Sequence, residues 1–291
     1  MTAPRDALHP TVDGLLEQSI VDIDIPPRPQ VIDQIRQEML RDMPDLRNVA
    51  QLISRDVSLA AGLIKTANSP YFGFSSRARS VYEALAMLGL NVTSRAIAAI
   101  SLRDAFPNSA HYERFWHASS EIAALSGWLA QQIDTPRIRA DDAYTFGLFR
   151  DCGIVILLRR FPDYRDILDK ANSDAMNPFT DSEQAHLPTD HTVVGCLLAQ
   201  NWWLPEEICL AIRHHHKLNT LDGQTIQLSL TSRRLIAIAQ TAEYLVQQIT
   251  GGSRTEEWKK MGSSCLHLLG MDEELLASLF PEAESLLATI E

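Results

Sequence analysis

From Val31 to Ile249 the apolar residues recur at helical spacing, and no β-rich segment competes with that pattern. Val31, Ile35, Met39 and Leu40 make one stripe, closed by Pro44. Residues 46–55 make a second, with Val49, Leu52 and Ile53 on one face, and residues 57–68 a third, through Leu59, Leu63, Ile64 and Ala67. The stretch NSPYFG (68–73) then interrupts, because Pro70 has no N–H to extend a helical ladder. Ser80 with Glu83 three residues later is a capping-box arrangement. The helix it opens should stop near Gly89, with another opening at Asn91 or Thr93 and apolar at Ile97, Ile100 and Leu102. A chain patterned this way is constrained to an all-α fold of short helices and short turns.

The stretch FPNSAH (106–111) is the best internal boundary. Beyond it, residues 113–133 read as a long helix carrying Phe115, Trp116, Ile122, Leu125 and Leu129. Asp141 and Asp142 open a helix expected to contain GLFRDCG (147–153) and to run on through IVILLRRF. Residues 163–171 give another helix, and 172–190 a loop with a turn of helix. Residues 191–203 and 204–216 read as two helices, the second with Pro205 in its first turn. A linker at 217–231 leads to a strongly helical 233–249 and two shorter helices near 255–269 and 272–289. Residues 1–13, polar and holding Pro4 and Pro10, read as a tail.

Composition narrows the function classes. A net charge of −11 leaves no basic surplus to displace counterions from a phosphate backbone, so nucleic acid is an unfavoured partner. Arg28, Arg36, Arg41, Arg47 and Arg55 share one early stretch, where they are expected to form solvated helix faces. A helix-turn-helix reader built on the segment 59–68 and its turn is disfavoured for the same reason. No run of eighteen uncharged apolar residues suggests a membrane span, and Asp6, Asp13 and Glu17 spoil any secretory signal. A cytoplasmic location is therefore expected. Cys152, Cys196, Cys209 and Cys265 form no CxxC pair and read as small buried hydrophobes.

There is no phosphate-cradling glycine loop, no GxSxG turn and no HExxH helix. What stands out is GLFRDCG followed by His191 and the run His214, His215, His216. Widely spaced histidines after a helix-borne Asp151 suit a metal site in a bundle core. The same run also suits a helix C-terminus, where partly cationic rings meet the negative end of the dipole. Arg150 complicates the first reading, since a guanidinium stays protonated and has no lone pair for a metal.

The chain resembles the HDOD family, the HD-related output domain of bacterial signalling proteins. The resemblance is carried by IPPRPQVIDQI (25–35), VAQLISRDVSLAAGLIKTANSPYFG (49–73), SVYEALAMLGLNVTSRAIA (80–98), FWHASSEIAALSGWLA (115–130), GLFRDCGIVILL (147–158) and HTVVGCLLAQNWWLPEEICLAIRHHH (191–216). It implies a two-lobed helical bundle with a degenerate HD-type second lobe. The tail would cover 1–13, the HDOD domain 14–217 and a C-terminal helical extension 218–291, packed on the HD-like lobe. Within the domain the first lobe would span about 14–110 and the HD-like lobe about 111–217. HD enzymes hold metals through His, a His-Asp pair, further His residues and a late Asp. Here Arg150 replaces the His of the doublet, Asp151 remains, and His191, His215 and His216 match later ligands. The first His position falls on Ala118, with His117 one residue and about 100° out of register. The late Asp corresponds to Glu243.

The resemblance thus implies no catalytic residues and a poor metal site at Arg150, Asp151, His191, His215, His216 and Glu243, with a divalent ion there as the alternative. Arg150 either points inward, pairing with Asp151 and Glu243 where a cation once sat, or snorkels to solvent. The function expected is a non-catalytic signal-transduction module that binds other signalling proteins, with self-association open. Two alternatives stand beside it: a divergent metal-dependent phosphohydrolase acting on a nucleotide or cyclic dinucleotide, and a nucleotide sensor without turnover. Tyr71, Phe72 and Phe74 either anchor a partner or pack the turn between the lobes.

Overall fold

The structure, a computed structural model, describes residues 23–107, 109–133, 138–222, 228–252 and 254–290. The tail expected at 1–13 and the domain's first residues, 14–22, lie outside these. Among the described residues every regular element is helical. α1 (Gln30–Met39), α2 (Leu46–Ser54) and α3 (Val57–Ala67) follow one another through tight turns. Two of these turns are fixed by side-chain caps: Asp45 accepts from the Arg47 and Asn48 N–H groups, and Asp56 from those of Ser58 and Leu59. A 3₁₀ turn, Pro70–Phe72, leads to α4 (Val81–Asp104). Ser80 caps α4 as expected, and the carboxylate of Glu83 reaches back to the Arg79 N–H rather than to that of Ser80. α4 is two helical segments joined at Gly89, whose φ of 73° and ψ of 167° are not helical.

α5 (Ala110–Gln132), α6 (Ala140–Phe149), α7 (Cys152–Arg160), α8 (Tyr164–Ser173), α9 (Phe179–Gln184), α10 (His191–Asn201) and α11 (Glu206–His214) make the second group. A long α12 (Leu230–Thr250) lies against α5, α6 and α11, and carries α13 (Glu257–Leu269) on its other side. α14 (Glu273–Ser278) and α15 (Phe280–Leu287) split the single helix expected at 272–289. Pro281 near the start of α15 explains the split, since it can begin a helix but not continue one.

The expectation that GLFRDCG sits within one continuous helix is corrected. α6 ends at Phe149 and α7 begins at Cys152, with Asp151 at φ −103°, ψ 13° between them. On a regular helix neighbours point about 100° apart. The break instead lets Arg150 and Asp151 converge, their side chains meeting at 3.0 Å.

α4 is long and apolar enough to cross a membrane by length and composition. It is nonetheless interrupted at Gly89, and Ala84, Leu85 and Ile97 are fully buried where α1, α2 and α3 pack against it. Several contacts pin the two groups of helices together. Arg95 of α4 reaches Asp142 at 2.6 Å and Asp141 at 3.7 Å. Tyr71 stacks on Tyr144 at 4.6 Å and fills the notch over Gly127, where a Cβ would come within 2.3 Å of its ring. Trp203 is held between Arg28 and Arg36, at 4.7 and 3.6 Å, and donates its indole N–H to Asp33 at 3.0 Å. These two arginines are therefore structural clamps rather than solvated faces. Of the aromatics at the turn, Tyr71 and Phe72 pack between the groups, and Phe74 remains partly exposed. All four cysteines are buried and unpaired.

Candidate metal centre

α10 begins at the site, and its start is well specified. Asp190 caps it, accepting from the Val193 N–H at 2.9 Å and the Thr192 hydroxyl at 2.5 Å, while its other oxygen accepts from Gln184 at 2.7 Å. Burial would raise the Asp190 carboxyl, but these donors and the His191 ring hold it at about 2. His191, the next residue, is completely buried. α10 can approach α7 this closely because Gly153 has no side chain: a Cβ there would lie 2.0 Å from the His191 carbonyl oxygen. The last glycine of GLFRDCG is thus a contact requirement of the site.

Each of three imidazoles turns its Nδ1 to a fixed acceptor. His191 Nδ1 lies 2.8 Å from the buried Glu183 carboxylate, to which Tyr164 also donates. His215 Nδ1 lies 2.8 Å from the carbonyl of Ile212. His216 Nδ1 lies 2.7 Å from Glu257, which is backed by Lys260. An acceptor at Nδ1 requires the proton there, which leaves Nε2 as a lone pair in the neutral ring. Those lone pairs converge. His191 Nε2 and His215 Nε2 are 3.4 Å apart, and Asp151 Oδ1 lies 3.7 and 3.1 Å from them. One donor atom from each of Asp151, His191, His215 and His216 lies within 4.8 Å of all the others. Phe179 closes one side, stacked on His216 at 4.4 Å.

Arg150 points inward. It is almost fully buried, and its fork meets Glu243 of α12 at 2.7 and 3.1 Å, with a further contact to Asp151 Oδ2 at 3.0 Å. Gln240 supports Glu243 at 3.0 Å. Burial opposes the Arg150 charge, but Asp151 and Glu243 outweigh it and push its pKa up. Burial likewise would raise Asp151, yet Arg150 and then His215 hold it well below the usual carboxylate range. Burial would lower His191, and Glu183 reverses this to bring it to about 8. His216 is taken down to about 3 by burial first and by its neighbour His215. Burial would raise Glu257, but His216 and Lys260 keep it at about 2.

The donor set fits a divalent transition-metal ion. Three imidazoles with carboxylate or carbonyl partners behind them, plus one carboxylate, are what zinc-type sites use. The His191 to His215 separation of 3.4 Å equals the edge of a tetrahedron with bonds of about 2.1 Å. Formal charge agrees. Asp151, Glu183, Glu243 and Glu257 contribute −4 and Arg150 and Lys260 +2, leaving −2 once an ion displaces the His191 proton and all three rings are neutral, the charge of one dication. Asp190 is offset separately by Arg213 at 4.0 Å.

Of the residues expected from the sequence, Arg150, Asp151, His191, His215, His216 and Glu243 all come together here. His117 does not: it is largely exposed and pairs with Glu121 at 3.3 Å. His214 is not among the converging donors, and burial first, then Lys217 and Arg213, lower it to about 4. Glu183, Glu257, Lys260 and Tyr164 escaped the sequence reading. Only Asp190, an Asp directly before a helical run, carried a local signal there.

The helical bundle thus brings an Asp and three histidines together beside a buried Arg–Glu fork. The HDOD domain model matches residues 25–218, and the chain belongs to that family. An uncharacterised protein of Treponema pallidum (strain Nichols) is 26% identical over 221 residues, 75% of this chain and 43% of that protein. The chain spans less than half the length of the curated relatives it matches. An HDOD domain protein with unknown function from Geobacter sulfurreducens superposes with a TM-score of 0.68 at 21% identity, covering 96% of this chain and 97% of that one. A protein from Shewanella amazonensis SB2B, named "Putative phosphohydrolase", gives 0.65 at 19% identity over 96% and 98%. Likeness at these identities shows the shared fold alone.

Proposed function

We propose that the protein is a signalling module that acts by binding other proteins and does not turn over a phosphodiester. The observation that carries this is the Arg150 fork. Hydrolytic centres of the two-ion kind clamp the attacking and leaving oxygens between two cations. Here the carboxylates that would hold the second cation, Asp151 and Glu243, instead hold a fixed guanidinium. A bound ion at the remaining donors would supply Lewis acidity and a more acidic water. The chain's own residues orient and screen that position: Glu183 and Glu257 fix the rings, and Phe179 covers them. A surface suited to a partner lies elsewhere, in a cleft of about 630 Å³ between the two groups of helices, lined in part by Lys65, Arg77, Trp116, Tyr144 and Ile290.

The competing reading, a one-ion phosphohydrolase, draws on the convergence of Asp151, His191, His215 and His216. Purified protein supplied with manganese, iron or magnesium and offered cyclic dinucleotides and bis(p-nitrophenyl) phosphate separates the two. The module reading expects no turnover above that of the ion alone. Turnover that Asp151→Asn abolishes would overturn it.

A further inference from the structure

We propose that the site takes a single divalent ion and that Glu257, on a helix beyond the span matched by the family, is a positioning residue that sets how tightly the ion is held. His216 is the donor most in need of a partner. It lies two residues beyond the end of α11, its ring is buried between Phe179 and His215, and the acceptor at its Nδ1 comes from a different helix. That task falls to Glu257 of α13, whose Oε2 lies 2.7 Å from His216 Nδ1. With the proton fixed there, the other ring nitrogen keeps its lone pair for the ion, and the carboxylate makes the ring a stronger donor.

Glu257 is itself held. Lys260, one turn on and almost fully buried, pairs with it and donates to the Asn177 carbonyl at 2.8 Å, between α8 and α9. The Glu256 N–H is anchored on the Asn172 carbonyl at 3.0 Å. α13 is therefore docked on the same segment that leads into α9 and Glu183. Displacing this helix would withdraw the partner of His216 while leaving Asp151, His191 and His215 in place. The C-terminal extension is thus part of the site.

The limit of one ion follows from charge. With Arg150 in the Asp151–Glu243 fork, one dication brings the cluster to zero, and a second would leave two positive charges in the core. The inference goes beyond the module reading and does not depend on it: it fails if no ion binds, whereas that reading fails if a phosphodiester is turned over.

The test is titration of the full chain with zinc and with cobalt(II), in competition with a chromophoric chelator. Wild type, Glu257→Gln, Glu257→Asp and Lys260→Met are compared, with folding checked by circular dichroism. One ion per chain is expected, and Glu257→Gln should weaken it about 10- to 100-fold at unchanged stoichiometry. Glu257→Asp should recover part of the loss, and Lys260→Met should lose less than Glu257→Gln. The cobalt d–d spectrum should shift in Glu257→Gln, which a purely structural role would not produce. No binding, two ions per wild-type chain, or a folded Glu257→Gln protein with unchanged affinity and spectrum would each overturn the proposal. Should Glu257→Gln fail to fold, unchanged affinity in Lys260→Met and Glu257→Asp together would do so.

Discussion

Arg150 and Asp151 are neighbours in the chain, and their opposite charges depend on each other in the core. Removing the cation alone, as in Arg150→Met, leaves Asp151 and Glu243 buried without compensation, and should cost about 3–5 kcal/mol in urea denaturation. Arg150→Met combined with Glu243→Leu removes both members of the fork and should recover part of that loss, the remainder being Asp151 left without its counterion. A single-variant cost below about 1 kcal/mol would mean that the guanidinium is not the counterion of this cluster. At this scale the sequence was informative where spacing carries chemistry. His191 and the His215–His216 pair were legible as candidate donors, whereas Glu243 came only through the family resemblance. Which way Arg150 points was not legible, because inward pairing and snorkelling use the same residue and differ only in what α12 brings near. Glu183 and Glu257 were illegible for a related reason: each meets its histidine only after the chain has turned back on itself, across 8 and 41 positions.

α10 delivers His191, and two residues set where that helix begins. Asp190 caps α10 and also binds the Gln184 amide. Asp190→Ala should lower stability by about 1–2 kcal/mol, read as a shift in the urea midpoint, and fray the turn that holds His191. Gly153 is the contact between α7 and α10, and Gly153→Ala would press a methyl against the His191 carbonyl. A loss of about 1–3 kcal/mol is expected, together with weaker ion binding, whereas a neutral Gly153→Ala would show that the helices are not in contact there. Most helices, with the cap at Ser80 and the stop at Gly89, were readable from apolar periodicity and turn residues. The break at residues 150–151 was not. Apolar residues lie at helical spacing on both sides of Arg150 and Asp151, from Phe146 through Leu157, so periodicity reports one helix. What ends α6 is the convergence of Arg150 and Asp151 on partners from α11 and α12.

The molecule as a whole is two groups of helices locked by aromatic and ionic pins, with an extension that closes over the second group. Its response to acid should follow from the buried carboxylates. Asp190 and Glu257 are both held at about 2, below their ordinary 3.8 and 4.5. A depressed pKa means the stabilisation is present above the unfolded value and lost as pH falls through the folded one. Each carboxylate should therefore contribute on the order of 2 kcal/mol above pH 4.5 that disappears between about pH 4.5 and 2. Urea midpoints across this range should fall steeply in wild type and less so in Asp190→Asn, and equal slopes would contradict the assignment. The measurement that bears most directly on the account is the metal-to-protein ratio after loading, by inductively coupled plasma mass spectrometry, for wild type and Arg150→His. Wild type should hold one ion per chain, and the ratio should rise once the guanidinium is gone. Two ions in wild type, or the same ratio in both proteins, would contradict the claim that Arg150 stands in for a cation.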